Sequence, residues 1–393
     1  MRLGDCCKTN LHTYSDKEKW SLIRYLDTGS ITEGRIDEIQ TLYPGVDKIP
    51  SRARRKASVG DILFSTVRPN QKHYGIIKAG TENLLVSTGF TVVTVDTTIA
   101  DPYFIYYYLT QSSVIESLQA IAEQSTSTYP SIKPSDIEDI ELDLPELETQ
   151  KKIGSTLRML DRKIALNEEI NDNLEQQAAA LFESWFVNYD PWDGVQPSEW
   201  ENAPLGSFVE IKRGGSPRPI QDFLSDSGLR WLKISDVTSL SSPFVLEIKE
   251  HIKEEGLRKT VFLHAGELVL SNSATPGIPK ILDVDTCIHD GWLYFPKSEL
   301  SKYYLYLFFK HIRKELVALG NGSVFTNLKT DILKAFPATK ADESTLKEFD
   351  ALVTPLFDAM LNADRENFKL AAMRDALLPK LMSSEIDVSE VEL

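Results

Sequence analysis

A chain of 393 residues with 42% hydrophobic content can bury more than one core. It has no apolar signal core near its start, no run near the ~20 apolar residues of a membrane span, and no CxxC or Cys/His zinc spacing around Cys6, Cys7 and Cys287. Membrane, disulfide-framework and zinc-finger classes are excluded, and the expectation is a soluble cytoplasmic protein with reduced thiols.

In chain order, residues 1–142 read as an α+β module. RYLDTGSIT (Arg24 to Thr32) and GDILFSTVRP (Gly60 to Pro69) are rich in β-formers, GFTVVTVD (Gly89 to Asp96) alternates, and Pro102 to Ile121 has helical character. Residues 143–190 then carry a heptad helix with apolar and small residues at Ile153, Leu157, Leu160, Ile164, Leu174, Ala178, Leu181 and Trp185, interrupted by Asn167 and Asn171. Pro145 suits its first position, and Pro191 and Gly194 follow its end. From Glu146 to Val187 such a helix is roughly 60 Å long, a spacer as well as a clasp.

Residues 191–337 repeat the first module. RWLKISDVT (Arg230 to Thr238) answers RYLDTGSIT, GELVLSNSATP (Gly266 to Pro276) answers GDILFSTVRP, GWLYF (Gly291 to Phe295) answers GFTVV, and Tyr303 to Leu316 answers the aromatic helix. Residues 338–393 hold a second heptad run, Phe349, Val353, Leu356, Met360, Ala363, Leu370, Leu377 and Leu381, and an acidic tail. Each of these lies 196 residues after its counterpart, as Val353 follows Leu157. The capping-box pair Thr345 and Glu348 is expected to open this helix, and Pro355 to bend it. The chain is therefore read as an internal duplication: two globular modules separated by two long helices that form an antiparallel coiled coil with pseudo-twofold symmetry. Facing Asn167 with Asn367 sets Ile164 on Leu370, Leu157 on Leu377, Ile153 on Leu381, Leu174 on Met360, Leu181 on Val353 and Trp185 on Phe349.

The net charge of −15 is unevenly placed. Residues 1–135 carry +1 and 205–335 carry +2, whereas 136–204 carry −12 and 336–393 carry −6. The modules thus carry no net excess of acid that would repel nucleic acid, and each holds basic and amide residues on either side of one strand. In the first module Arg52, Arg54, Arg55 and Lys56 precede GDILFS, and Arg68, Asn70, Gln71, Lys72 and His73 follow it. In the second, Lys212, Arg213 and Arg218 form a basic Gly/Pro loop, with Arg258 and Lys259 before GELVLS and Asn272, Ser273 and Thr275 after it. Arg and Lys suit phosphates and guanine edges, and Asn and Gln suit adenine edges. A solvated charged loop is the plainer reading of any one of them.

At this point the chain resembles the specificity subunit of a Type I restriction-modification system. The resemblance rests on GDILFS (Gly60 to Ser65), STYPSIKPSDIEDIELDLPELETQKKI (Ser127 to Ile153), LDRKIALNEEINDNLE (Leu160 to Glu175) and LFESWFVNYDP (Leu181 to Pro191). In the second copy GSVFTNLKTDILKAFP (Gly322 to Pro337) keeps the loop pattern, while LLPKLMS (Leu377 to Ser383) replaces the aromatic ending. The resemblance implies two target recognition domains, each reading half of a bipartite double-stranded DNA site from the major groove, with the helices as spacer. It also implies docking of two adenine-N6 methyltransferase subunits that use S-adenosylmethionine, and of restriction/translocase subunits that use ATP. No cofactor or metal is then expected in the chain itself.

The residues offer no chemistry of their own: there is no GxGxxG, P-loop, HExxH or GxSxG. A non-catalytic DNA-recognition subunit is the reading. A protein-binding coiled-coil scaffold, an enzyme with an unrecognised site in one module, and a specificity subunit of a methylation-only system remain as alternatives.

Overall fold

Each long helix follows one sheet-rich module and folds back on the other helix. The structure, a computed structural model, describes residues 1–125, 129–320 and 328–388. Ser127 and Thr128 of the first loop motif, Gly322 to Asn327 of the second, and the acidic tail from residue 389 lie outside the described residues. By packing, the chain forms two units, Met1–Lys163 with the segment from Leu370 onward, and Ile164–Lys369. Packing thus cuts both long helices, and the strand Pro337–Lys340 runs across the expected 337/338 boundary between module and helix.

The first unit contains two four-stranded sheets. In one, Cys7–Thr9, Phe90–Val95, Ile62–Ser65 and Tyr74–Ile76 lie side by side and antiparallel. In the other the order is Gln40–Leu42, Ile23–Leu26, Leu84–Ser87 and Ala53–Lys56, with the Ile23–Leu26 and Leu84–Ser87 strands parallel. The second unit repeats this order. Val209–Arg213, Trp292–Ser298, Leu268–Ser271 and Pro279–Leu282 make one sheet, extended by Phe244–Val245. Leu224–Ser225, His251–Ile252, Leu229–Leu232, Thr286–Ile288 and Val261–Leu263 make the other, and here too the Leu229–Leu232 and Thr286–Ile288 strands are parallel. The ILFS of GDILFS and the LVLS of GELVLS become inner strands, Ile62–Ser65 and Leu268–Ser271, buried at every residue, which is why both read as short continuous apolar runs. The start of each module is tied to its end: Leu3 N–H donates to Ile140 O and Leu205 N–H to Phe336 O, both at 2.8 Å.

The aromatic helix differs between the copies. In the first it breaks at Gln111 into Pro102–Thr110 and Ser112–Glu123, because Gln111 takes an extended conformation with ψ 139°. In the second it runs from Lys302 to Gly320. In both units this helix packs with its share of the long helices. Phe104, Ile105 and Leu109 join Ile153, Leu157, Leu378 and Leu381 in one cluster. Tyr304, Tyr306 and Phe308 join Ala178, Phe182, Phe186, Phe349, Val353, Phe357 and Met360 in the other.

The central helix spans Leu147–Phe186 and the C-terminal helix Glu343–Met382, 40 residues each, or about 60 Å. Two expectations about their starts need correction. Pro145 and Glu146 precede the first helix; Gln150 N–H already donates to Glu146 O at 3.0 Å. Asp342, and not Thr345, caps the second, since its Oδ1 accepts from the N–H groups of Ser344 and Thr345 at 3.0 and 3.1 Å. The second helix is continuous through Pro355.

Within the second unit the two helices are antiparallel. Asn167 meets Asn367, and 18 residues further along the central helix Trp185 meets Phe349, which lies 18 residues back along the other, with ring centroids 5.8 Å apart. The seam is not a strict heptad. The most buried side chains are Gln150, Ile153, Leu157, Asn167, Asn171, Ala178, Phe182 and Phe186 on one helix and Phe349, Val353, Phe357, Met360, Leu378 and Leu381 on the other. Leu160, Ile164 and Leu370 are half-buried. Leu174, Leu181, Trp185 and Leu356 pack at the edge of the second cluster, and Leu377 at the edge of the first. The stripe from Ile153 to Phe186 takes nine steps over 33 residues, close to the natural ~3.6-residue turn, so a 3.5-residue seam drifts off it by Leu181 and Trp185.

Candidate nucleic-acid interface

Polar groups fix the first module to the central helix. The buried Gln150 side chain accepts from Asp101 N–H at 2.9 Å and donates to Pro145 O at 2.8 Å and Ile99 O at 3.2 Å. Asp101 in turn caps the aromatic helix through Phe104 N–H at 2.9 Å. A Cβ at Gly154 would lie 2.6 Å from Asp101 Oδ1, so the close approach requires glycine there. One turn on, Tyr107 donates to Asp161 at 2.6 Å and Arg374 pairs with Asp161 at 2.9 Å. These polar locks lie inside a stretch read as an apolar seam. Polar residues at isolated core positions leave no periodic mark.

The strand-flanking residues divide by environment. In the first module Arg52, Arg54, Arg55 and Lys56 do not form a loop: Ala53–Lys56 is an edge strand, with an irregular register between Ala53 and Arg55. Alternation along the strand therefore separates their side chains. Arg52 is exposed and Arg54 half-buried. Arg55 is half-buried, its Nε has no hydrogen-bond partner among the described residues, and burial lowers its pKa. Lys56 pairs with Glu18 and lies 5.2 Å from the Trp20 ring centroid, so its charge is largely answered within the protein. After the inner strand, Arg68, Asn70, Gln71 and Lys72 are exposed on a turn around Pro69–Gln71. Arg68 has φ +48° and its guanidinium lies 5.0 Å from the Tyr129 ring centroid; Lys72 pairs with Glu33 at 2.5 Å. His73 Nδ1 lies 2.7 Å from Ile31 O, so that ring is tied to the module.

In the second module Lys212 and Arg213 end an edge strand, and the chain then passes through Gly214-Gly215 close over the Ile288–Asp290 corner. A Cβ at Gly214 would lie 2.2 Å from His289 O, so only glycine lets the basic loop settle there. Lys212 pairs with Glu210 at 2.9 Å. Arg213 and Arg218 both converge on Asp290: Arg213 Nε donates to its carbonyl and Arg218 NH2 to Oδ2 at 3.0 Å, while Ser216 Oγ donates to Oδ1 at 2.6 Å. The Ser216 hydroxyl foremost, and the two arginines after it, hold the Asp290 carboxyl below its ordinary pKa. Arg258 is exposed, and Lys259 lies over the Phe223 ring at 4.8 Å. Asp290 and Ser216 were not legible as site residues, since neither belongs to a basic or amide cluster.

Asn272 needs correction as a base-reading candidate. It is only 3% exposed and its amide donates to Asp290 O at 3.4 Å, so it sits beneath the corner and does not reach from it. Its counterpart is Thr66, whose hydroxyl donates to Gly89 O at 2.9 Å, and each residue also accepts a main-chain bond, from Leu328 N–H and Ile132 N–H respectively. Ser273 is half-buried at the start of the tight 273–275 turn, where Thr275 N–H donates to Ser273 O at 2.6 Å and Ala274 has φ +58°.

Among the described residues no group of His, Cys, Asp and Glu is arranged to hold a metal ion, and no helix is long and apolar enough to cross a membrane. Each module therefore presents exposed cations beside a buried inner strand, with several of them already tied to carboxylates. Such an arrangement can bind phosphates and hold donors toward base edges.

Comparison with known proteins gives concordant results. Residues 48–176 and 197–339 match the family described as Type I restriction modification DNA specificity domain. The chain is 25% identical to the HindI specificity subunit of Haemophilus influenzae, over 98% of each chain. It is 24% identical to the MjaIX specificity subunit of Methanocaldococcus jannaschii, over 84% of this chain and 79% of that one. Its fold is similar to that of the S subunit of a Type I restriction-modification system from M. genitalium, with TM-score 0.58, 15% identity and coverage of 97% of this chain and 95% of the other.

Proposed function

The chain belongs to the Type I restriction modification DNA specificity family, whose domain it carries twice, and on that premise we propose that each module reads one half of an asymmetric bipartite DNA sequence. What carries this reading is the repetition: the same strand order in both modules, with exposed basic residues flanking the same inner strand and different letters in those flanks. A common scaffold with divergent flanks is what two readers of different sequences require.

The long helices dock protein partners. They and their flanks hold nearly all the excess acid, which suits a protein surface better than a phosphate backbone. In the second unit they also leave Leu166, Ile170, Leu352 and Phe368 40% or more exposed, apolar contacts for an incoming subunit. Those partners are two adenine-N6 methyltransferase subunits, which use S-adenosylmethionine, and restriction/translocase subunits, which use ATP. The chain itself is non-catalytic, binds no cofactor, and acts in the cytoplasm.

The test is to exchange residues 1–142 for the corresponding module of a relative and map the methylated motif of the complex. One half-site should change and the other stay; a change in both halves contradicts independent modules.

A further inference from the structure

One carboxylate stands at the centre of the second module's basic loop. Asp290 lies in the corner between the Thr286–Ile288 and Trp292–Ser298 strands, and the residues converging on it come from two places in the chain, the 213–218 segment and Asn272. Ser216 Oγ occupies Oδ1 at 2.6 Å, and Arg218 NH2 donates to Oδ2 at 3.0 Å. Arg213 bonds the main-chain carbonyl and brings NH2 to 4.0 Å of Oδ2, while Asn272 reaches the same carbonyl from below at 3.4 Å. Both arginine side chains remain more than half exposed, at 52% and 78%.

This arrangement is poorly explained by stability or by charge. Ion pairs this exposed contribute little to folding. If the loop served only to neutralise phosphates, an acid between its two arginines would weaken it. A guanidinium reads a base edge only when its planar fork is held in one orientation, and a carboxylate partner is the usual means of holding it. The corresponding corner of the first module, two residues before the Phe90–Val95 strand begins, carries Thr88, so the device belongs to one module.

We propose that Asp290 is a positioning residue that holds Arg213 and Arg218 in the orientation with which the second module selects bases in its half-site. The proposal rests on the reading of the modules as half-site readers.

The experiment uses the chain assembled with its methyltransferase subunits. Affinity is measured for a duplex carrying the mapped methylation motif, and for duplexes with one base pair changed in either half-site. For Asp290→Asn, discrimination in the second half-site should fall roughly tenfold, the span of one lost base-edge contact, while discrimination in the first is kept. Ser216→Ala, which leaves every charge in place, should shift the same ratio in the same direction by less; it carries the test if Asp290→Asn does not assemble. Unchanged discrimination, or a uniform gain in affinity for all duplexes, overturns the proposal, since a uniform gain is what removing an acid from a phosphate-binding patch produces. A wild-type complex that discriminates in neither half-site instead overturns the half-site reading itself.

Discussion

The Asn167 side-chain amide donates to Asn367 Oδ1 at 2.8 Å and to Glu366 Oε2 at 2.7 Å. Asn167 is only 3% exposed, so the pair fixes the register of a largely apolar seam at some cost in stability. Asn171, 7% exposed, extends the polar layer by donating to Asp364 at 2.8 Å.

Replacing only one member of that pair should be worse than replacing both. Asn167→Leu removes the donor while Asn367 keeps its polar head, and should destabilise by about 1–3 kcal/mol. Asn167→Leu with Asn367→Leu should recover much of that loss, because two apolar residues satisfy each other. Urea unfolding of the three proteins decides; a double variant no more stable than the single one contradicts the account.

The aromatic end of the central helix should be held by its phenylalanines. Phe186 is 6% exposed and its ring centroid lies 4.8 Å from that of Phe349 and 4.9 Å from that of Tyr304, whereas Leu181 lies at the edge of the cluster. Phe186→Ala should cost about 3–5 kcal/mol, and Leu181→Ala clearly less. Equal losses in chemical denaturation would restore the heptad seam that the burial pattern argues against.

That contrast shows what was legible before the structure. The duplication and the two helices follow from spacing, because apolar periodicity and a fixed 196-residue offset survive in sequence; the Asn167–Asn367 pairing follows only once the helices are taken as antiparallel, which the family resemblance implies. The slow drift of the seam onto Phe182 and Phe186 does not, because a 3.5- and a 3.6-residue period differ too little over a few turns to be told apart by eye. Basic clusters were visible on either side of the inner strands. Whether a given member faces water, as Arg258 does, or lies under a corner, as Asn272 does, depends on strand pairing across distant segments. The carboxylates that answer Lys56 and Arg218 lie 38 and 72 residues away in the chain, beyond any local pattern.

Those answered charges set a further expectation. Arg258→Ala should weaken DNA binding across all sequences and lower the slope of log affinity against log salt by about one unit, as the loss of one phosphate contact does. Lys56→Ala should change affinity much less, because that ammonium already faces Glu18 and Trp20. Titrations at several salt concentrations separate them, and a larger slope change for Lys56→Ala would refute the assignment.

Lys280 should make the second unit sensitive to alkaline pH. It is 3% exposed, its ammonium donates to Leu240 O at 2.7 Å and to Ser242 O, and burial pushes its pKa down to about 8 despite Glu175 and Asp364 nearby. An unfolded lysine titrates near 10.4, so between those values the unfolded chain holds the extra proton and stability rises with pH. The contribution is fully present above the unfolded value and lost as pH falls toward 8, on the order of 3 kcal/mol over the window. Between pH 8 and 9.5 the unfolding free energy of the wild type should gain on that of Lys280→Met; parallel curves would show that the lysine titrates normally.

The claim that this chain selects a bipartite DNA sequence for methylation is tested most directly by a genome-wide map of N6-methyladenine, read by single-molecule sequencing. Cells expressing the partner methyltransferase are compared with and without this chain. The account predicts a methylated motif of two half-sites separated by unread bases, present only when the chain is present. Identical maps, with both proteins shown to be soluble and associated, would contradict it and leave a protein-binding scaffold in its place.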